Sequence, residues 1–144
     1  MREAKRWLLW KRIDTRKVPF YASGEPRKGT LDAPKDLARL VTFEDAAQAY
    51  KRGDWAGLGF ALGPDGNGGC WQGIDFDHLS EHPELQALVE SLPGYVERSP
   101  SGDGVHAIGY GQSFETLAQN GSGIEAYSKA RFFTVTGDVW GCET

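Results

Sequence analysis

The five residues Gly73-Ile-Asp-Phe-Asp77 constrain the fold more than any other part of the chain. Apolar and acidic residues alternate, and a period of two belongs to an extended strand whose successive side chains take opposite faces. Ile74 and Phe76 therefore call for a core on one side. Asp75 and Asp77 share the other side, with Cα atoms roughly 6.5 Å apart at a rise of about 3.3 Å per residue. Asp is disfavoured in strands, and two like charges on one face repel. A hard divalent cation would offset that repulsion. The same acids also suit a strand end that faces water and caps the helix after it, and the motif alone leaves both readings open.

The rest of the chain supplies the context for such a strand. At 144 residues it has the length of one domain with a real hydrophobic core. With 40% hydrophobic and 25% charged residues, it has the composition of a soluble globular protein. No apolar stretch approaches the roughly 18 residues of a membrane span, so no membrane partner is expected. The apolar run from Trp7 to Trp10 behind the basic start is too short for a signal peptide, and the expected location is cytoplasmic. Cys70 and Cys142 form no Cys-x-x-Cys, so neither a structural disulfide nor a zinc site is expected.

Strand signals fall at residues 7–12, 18–21, 58–62, within 69–77, and at 95–98, 105–110, 124–127 and 132–136. Turn residues mark 23–30 as a loop. Thr42 caps a helix that carries Glu44 and Asp45 in its first turn, reaches about Arg52 and stops at Gly53. Leu85, Leu88, Val89 and Leu92 stand at helical spacing and predict a second helix from about Glu81 to Leu92. Strands interleaved with two or three helices indicate an α+β or mixed α/β domain.

Two further segments carry chemistry. In Ser99-Pro-Ser-Gly-Asp-Gly-Val-His106, small residues and glycines can turn backbone N–H groups toward an anion, and His106 opens the next strand. An ordinary hairpin turn followed by an incidental His fits the same residues. In Gly123-Ile-Glu-Ala-Tyr-Ser-Lys-Ala-Arg-Phe-Phe-Thr-Val-Thr-Gly137, Glu125 stands between Ile124 and Ala126, which can face the core while Glu125 faces the Asp pair. Lys129 and Arg131 suit phosphates, and equally suit the charged tips of a hairpin. The net charge of −4 argues against nucleic acid, but nine Lys or Arg against three acids between Met1 and Lys28 form a basic N-terminal stretch.

Taken in order, the strand Asp-x-Asp, the Ser-Pro-Ser-Gly-x-Gly-x-His loop, the acidic strand and the Arg-Phe-Phe-Thr-x-Thr-Gly strand resemble the archaeo-eukaryotic primase superfamily. Within it they are similar to the primase–polymerase domains of phage and plasmid replication proteins. Trp-Leu-Leu-Trp-Lys, Lys-Val-Pro-Phe and Gly57-Leu-Gly-Phe-Ala-Leu62 resemble the opening of those domains, so the resemblance runs over almost the whole chain.

The resemblance implies an α+β palm with an RRM-like antiparallel or mixed sheet, flanking helices and a small N-terminal α/β part. Residues 1–144 would form one catalytic domain at the N-terminal end of a longer replication protein, with a helicase domain as a further C-terminal partner. It implies template-dependent nucleotidyl transfer as a DNA primase and polymerase, with single-stranded DNA template or primer and NTPs or dNTPs as partners. Two Mg²⁺ or Mn²⁺ ions would sit on Asp75, Asp77 and Glu125, with Asp103 as the alternative third ligand. His106 would contact the nucleotide phosphates, with Ser101, Gly102, Lys129 and Arg131 beside it. Trp7, Trp10 and Tyr21 are candidates for stacking single-stranded bases, and the Trp pair equally suits the core. Phe132 or Phe133 would lie near the sugar.

Overall fold

The structure is a computed structural model that describes residues 1–117 and 122–140. It is an α+β fold with a large antiparallel sheet and few helices. The chain divides into two compact units, Met1–Ala61 with Ala130–Val135, and Leu62–Lys129 with the residues from Thr136 onward. Among the described residues no helix is long and apolar enough to cross a membrane. Cys70 is a buried free thiol, and Cys142 lies outside the described residues.

The first unit opens with β1 (Trp7–Ile13) and β2 (Arg16–Phe20), an antiparallel hairpin in which Ile13 faces Arg16. Only Asp14 and Thr15 stand in the turn, and Asp14 takes the positive φ of 56° that a two-residue hairpin needs. β2 begins at Arg16 and not at Val18, because the tight turn lets the ladder start at once. Pro19 is tolerated because β2 is the outer strand. On its other side β1 pairs with β3 (Gly57–Pro64), and β8 (Arg131–Val135) also pairs with β3.

Two helices complete this unit. A short α1 (Pro34–Leu37) is too brief to leave a periodic signal. α2 (Phe43–Arg52) has Thr42 at its N-cap, accepting from the Asp45 N–H at 3.4 Å, and Gly53 at its end, as its sequence predicts. Trp7 meets Phe43 and Phe60 edge-on, with ring centroids at 5.0 and 5.3 Å. Leu8, Tyr21, Leu40 and Ala61 form a buried cluster against which Leu37 and Phe132 pack. Trp7, Trp10 and Tyr21 are thus core residues, as is Phe133.

The second unit is built around β4 (Cys70–Phe76). β6 (Val105–Gly111) lies along one edge of β4 over its whole length, and β5 (Tyr95–Arg98) pairs with the far edge of β6. β7 (Ile124–Tyr127) also pairs with β4, at Gly73 to Phe76, and the end of β3 pairs at Cys70 and Trp71. All these pairs are antiparallel. The order β7, β4, β6, β5 places strands distant in sequence side by side.

The expected helix over 81–92 is interrupted. Leu79–Glu81 and Pro83–Leu85 are 3₁₀ turns, and only α3 (Gln86–Ser91) is α-helical. Pro83 has no N–H to donate back, so it starts a new turn and cannot sit inside a continuous helix. The apolar spacing still does its work: Val89 is buried with Phe76 and Val105, and Leu85 and Leu92 pack against that cluster.

Beyond β5, residues 136–140 run along its open edge. Arg98 N–H donates to the Asp138 carbonyl at 2.8 Å, and Trp140 N–H donates to the Val96 carbonyl at 2.9 Å. The Arg98 guanidinium lies over the Trp140 ring, and Asp138 is its ion-pair partner at 3.4 Å. On the opposite side of this sheet, Leu117 bridges to Ala126 along the outer edge of β7.

Candidate active site

The alternation in β4 is realised. Phe76 is fully buried against Val89 and Val105 with Ile74 packed beside it, so Asp75 projects from the other face of the sheet. Register then assembles a row. Asp75 stands directly opposite His106 on β6 and Glu125 on β7, and His106 stands opposite Glu97 on β5. Directly opposed residues in an antiparallel pair share a face. Glu97, His106, Asp75 and Glu125 therefore form one line of ionisable groups across four strands.

Contacts follow that line. His106, 6% exposed, places Nε2 3.7 Å from Asp75 Oδ1 and Nδ1 3.3 Å from Glu97 Oε2. Glu125 Oε2 accepts the Tyr127 hydroxyl at 2.7 Å. Asp77 follows the end of β4, and its N–H donates to the Gly123 carbonyl at 2.8 Å, which ties it to the residue before β7. Gly123 is required there. It adopts φ of 84°, and a Cβ would lie 2.8 Å from the His82 ring and 3.1 Å from the Asp77 carbonyl oxygen.

The loop 99–104 enters β6 and closes on itself. Ser99 N–H donates to the Gly104 carbonyl and Gly102 N–H to the Ser99 carbonyl, both at 3.0 Å. The Ser99 and Ser101 hydroxyls meet at 2.9 Å, and Asp103 N–H reaches Ser101 Oγ at 3.3 Å. The Gly102 and Asp103 amides are therefore used inside the turn and do not point outward as an anion-binding pair. Ser101 and Gly102 are themselves exposed.

Asp103 bonds Ser80 through both carboxylate oxygens, to its N–H at 3.0 Å and its hydroxyl at 2.8 Å. The Ser80 hydroxyl, then its amide, hold the Asp103 carboxyl below the usual carboxylate range. Asp103 thus secures the 3₁₀ turn at Leu79–Glu81, while the carboxylate in register with Asp75 is Glu125. Lys129 is exposed in the turn after β7. Arg131 is exposed at the start of β8, in the first unit.

Sequence reasoning missed Glu97. It is 0% exposed, and four groups meet its carboxylate through five contacts. Oε1 accepts the Tyr95 hydroxyl at 2.6 Å and the N–H groups of Thr136 and Gly137 at 3.0 and 3.3 Å. Oε2 accepts the Thr136 N–H at 3.0 Å and faces His106 Nδ1 at 3.3 Å. Burial, then the bond to Glu97, push the Tyr95 hydroxyl well above the usual phenol range, so it remains a donor. The available signal was an acid inside a predicted strand, where acids are disfavoured.

The residues that would hold a divalent metal are hard oxygen donors, which suits Mg²⁺ or Mn²⁺. Asp75 and Glu125 stand directly opposite each other across a strand pair, which puts two carboxylates on neighbouring positions of one face. Among the described residues, no three His, Cys, Asp or Glu side chains already converge as a metal cage. What the fold supplies is the donor set on neighbouring positions of one unit.

No protein-family model matches the chain. The chain is 29% identical over 93% of its length to a protein of Nitratiruptor phage NrS-1 named DNA primase-polymerase. That similarity supports a primase–polymerase-type domain. The chain spans about a fifth of the phage protein's length, 19%.

Proposed function

We propose that this domain carries out templated nucleotidyl transfer, extending a primer or starting one on single-stranded DNA with NTPs or dNTPs. The observation that carries the reading is the in-register row of Glu125, Asp75 and His106, with Asp77 two residues beyond Asp75. The similarity to the phage primase–polymerase supports the same reaction class.

In this reading Asp75, Asp77 and Glu125 hold Mg²⁺ or Mn²⁺. The bound ions would acidify the attacking 3′-hydroxyl and offset charge on the α-phosphate and the departing pyrophosphate. The chain's own contribution is position and charge. Tyr127 fixes the Glu125 carboxylate from the same strand. His106, whose ring lies beside Asp75, would contact the phosphates of the incoming nucleotide. Ser101 adds a hydroxyl at the mouth of the loop before it, and Gly102, without a side chain, leaves room there. Lys129 and Arg131 neutralise triphosphate or template charge, Arg131 in bidentate fashion. In the longer protein a helicase domain would supply the single-stranded template.

The test is incorporation of labelled nucleotide on a primed and an unprimed oligonucleotide with Mg²⁺ or Mn²⁺, run beside Asp75→Ala. Template-dependent lengthening lost at least ~10³-fold in the variant is expected from removal of a metal-holding carboxylate. Shortening of the oligonucleotide would assign the same carboxylates to hydrolysis. Oligonucleotide binding without incorporation would leave a non-catalytic module. Full activity in Asp75→Ala would overturn the mechanism.

A further inference from the structure

We propose that the β1–β2 hairpin is a binding surface for the phosphate backbone of single-stranded DNA, gripped by Arg12 and Lys17 with Arg16 at the tip. The choice of DNA as the polyanion rests on the nucleotidyl-transfer reading; the anion-binding strip itself comes from the hairpin. Of the nine Lys and Arg between Met1 and Lys28, folding gives several other work. Arg6 and Arg27 are buried, Arg6 Nε donating to the Ala61 carbonyl at 2.9 Å and Arg27 forking onto Asp36. The Arg2 guanidinium lies 4.5 Å from the centroid of the Phe43 ring. Four of the rest, Lys11, Arg12, Arg16 and Lys17, are gathered on this one hairpin.

Register sets the four out. Arg12 stands directly opposite Lys17, and Ile13 opposite Arg16. Directly opposed residues share a face, and two like charges there repel. Arg12 and Lys17 also share the Trp10 ring, the guanidinium 5.9 Å and the ammonium 5.8 Å from its centroid. At that range the indole draws each cation weakly and does not cancel the repulsion between them. Lys11 takes the other face, its ammonium 4.4 Å from the Trp55 ring centroid and 5.5 Å from that of Phe20. Among the described residues, none of the four has a carboxylate within ion-pair distance, although Asp14 stands in the turn between them. Other surface arginines do find one: Arg39 pairs with Glu25 and Arg98 with Asp138.

An anion seated between Arg12 and Lys17 turns their repulsion into two charge-assisted contacts. Arg16, one register position nearer the tip, carries the positive strip past the reach of a single anion, which suits a polymer of phosphates. Arg12, Arg16 and Lys17 are all exposed, and β2 is the outer strand of its sheet, so an extended chain can lie along the hairpin. A lipid surface suits it less. Ile13 is the only large apolar side chain exposed among the described residues of the hairpin, whereas interfacial binding draws on a buried apolar face. A grip on phosphates is indifferent to base sequence, as copying of any template requires.

Two measurements on the full chain test this, both in EDTA so that no metal-dependent contact contributes. The first is the anisotropy of fluorescein-labelled oligo(dT) between about 50 and 200 mM salt. It compares wild type, Arg12→Gln with Lys17→Gln, and Lys51→Gln with Arg52→Gln, which removes the same charge from exposed positions of α2 in the same unit. The hairpin variant should bind roughly 20-fold more weakly at about 0.1 M salt, with a log–log slope flatter by about 1.4, as the loss of two phosphate contacts gives. The α2 variant should match wild type. Equal losses in the two variants, or none in the hairpin variant, would overturn the proposal. The second measurement uses wild type alone: lysine acetylation with and without oligo(dT), mapped by mass spectrometry. Oligo(dT) should protect Lys17 and leave Lys51 reactive; Lys17 modified equally in both samples sinks the proposal, whether or not any variant folds. Uptake on phosphatidylserine vesicles without binding of oligo(dT) would reassign the strip to lipid and count equally against it. If oligo(dT) protects Lys17 but no nucleotide is incorporated when Mg²⁺ or Mn²⁺ is supplied, the nucleotidyl-transfer reading falls and the hairpin surface stands.

Discussion

A Cβ added to Gly104 would lie 2.6 Å from the Phe76 carbonyl oxygen and 2.8 Å from Ser99 Oγ, so the chain passes two residues before His106 with no room for a side chain. Gly104→Ala should therefore cost about 1–3 kcal/mol in urea unfolding. Because the clash is with the backbone of β4, it should also lower incorporation more than stability alone accounts for. At this scale the alternation around Asp75 was legible because a two-residue period is local, and the burial of Phe76 opposite Asp75 bears it out, whereas Asp77 falls just past the end of β4. His106 and Glu125 were legible as candidates, but that both stand opposite Asp75 depends on register, which no local pattern encodes. Glu97 escaped for the same reason. Its meaning lies in donors 39 and 40 residues away.

Among elements, α2 was readable at both ends because caps are written in adjacent residues. Its Thr42 bond is long at 3.4 Å, so Thr42→Ala should cost about 0.5–1 kcal/mol, the lower part of the usual capping range, read from the unfolding midpoint. The segment before α3 shows how a correct spacing can carry a wrong boundary. Leu85, Val89 and Leu92 do share the face that packs on Phe76, yet Pro83 forbids one continuous helix through them. Removing the anchor of that face, Val89→Ala, should destabilise by about 1–3 kcal/mol, with far-UV helicity little changed because α3 has only six residues.

For the molecule as a whole, strand order was the illegible part: β4 takes β6 and β7 as neighbours, pairings closed by chain excursions of tens of residues. Acid stability has an identifiable centre in the first unit. Burial alone would raise the Asp36 carboxyl, but the Arg27 fork at 2.8 and 2.9 Å and the Tyr21 hydroxyl at 2.7 Å outweigh it and hold it at about 2, below the ordinary 3.8. A carboxyl lowered on folding contributes stability that is complete above its unfolded value and lost as pH falls through the folded one. Wild type should thus lose this contribution between about pH 4 and pH 2. Asp36→Asn should lack that step and be weaker at neutral pH by about 3 kcal/mol, since it leaves buried Arg27 without its carboxylate. The β1–β2 hairpin exposes Arg12, Arg16 and Lys17. On the proposed function, Arg16→Gln with Lys17→Gln should weaken oligonucleotide binding and flatten its log–log salt slope by about 0.7 per lost phosphate contact. The stretch 136–140 has a consequence for anyone who shortens the chain. It occupies hydrogen-bonding positions on β5 that a second molecule would otherwise use. A version ending at Val135 would present a bare ladder edge, and copies should zip together through it into dimers or longer oligomers visible by sedimentation.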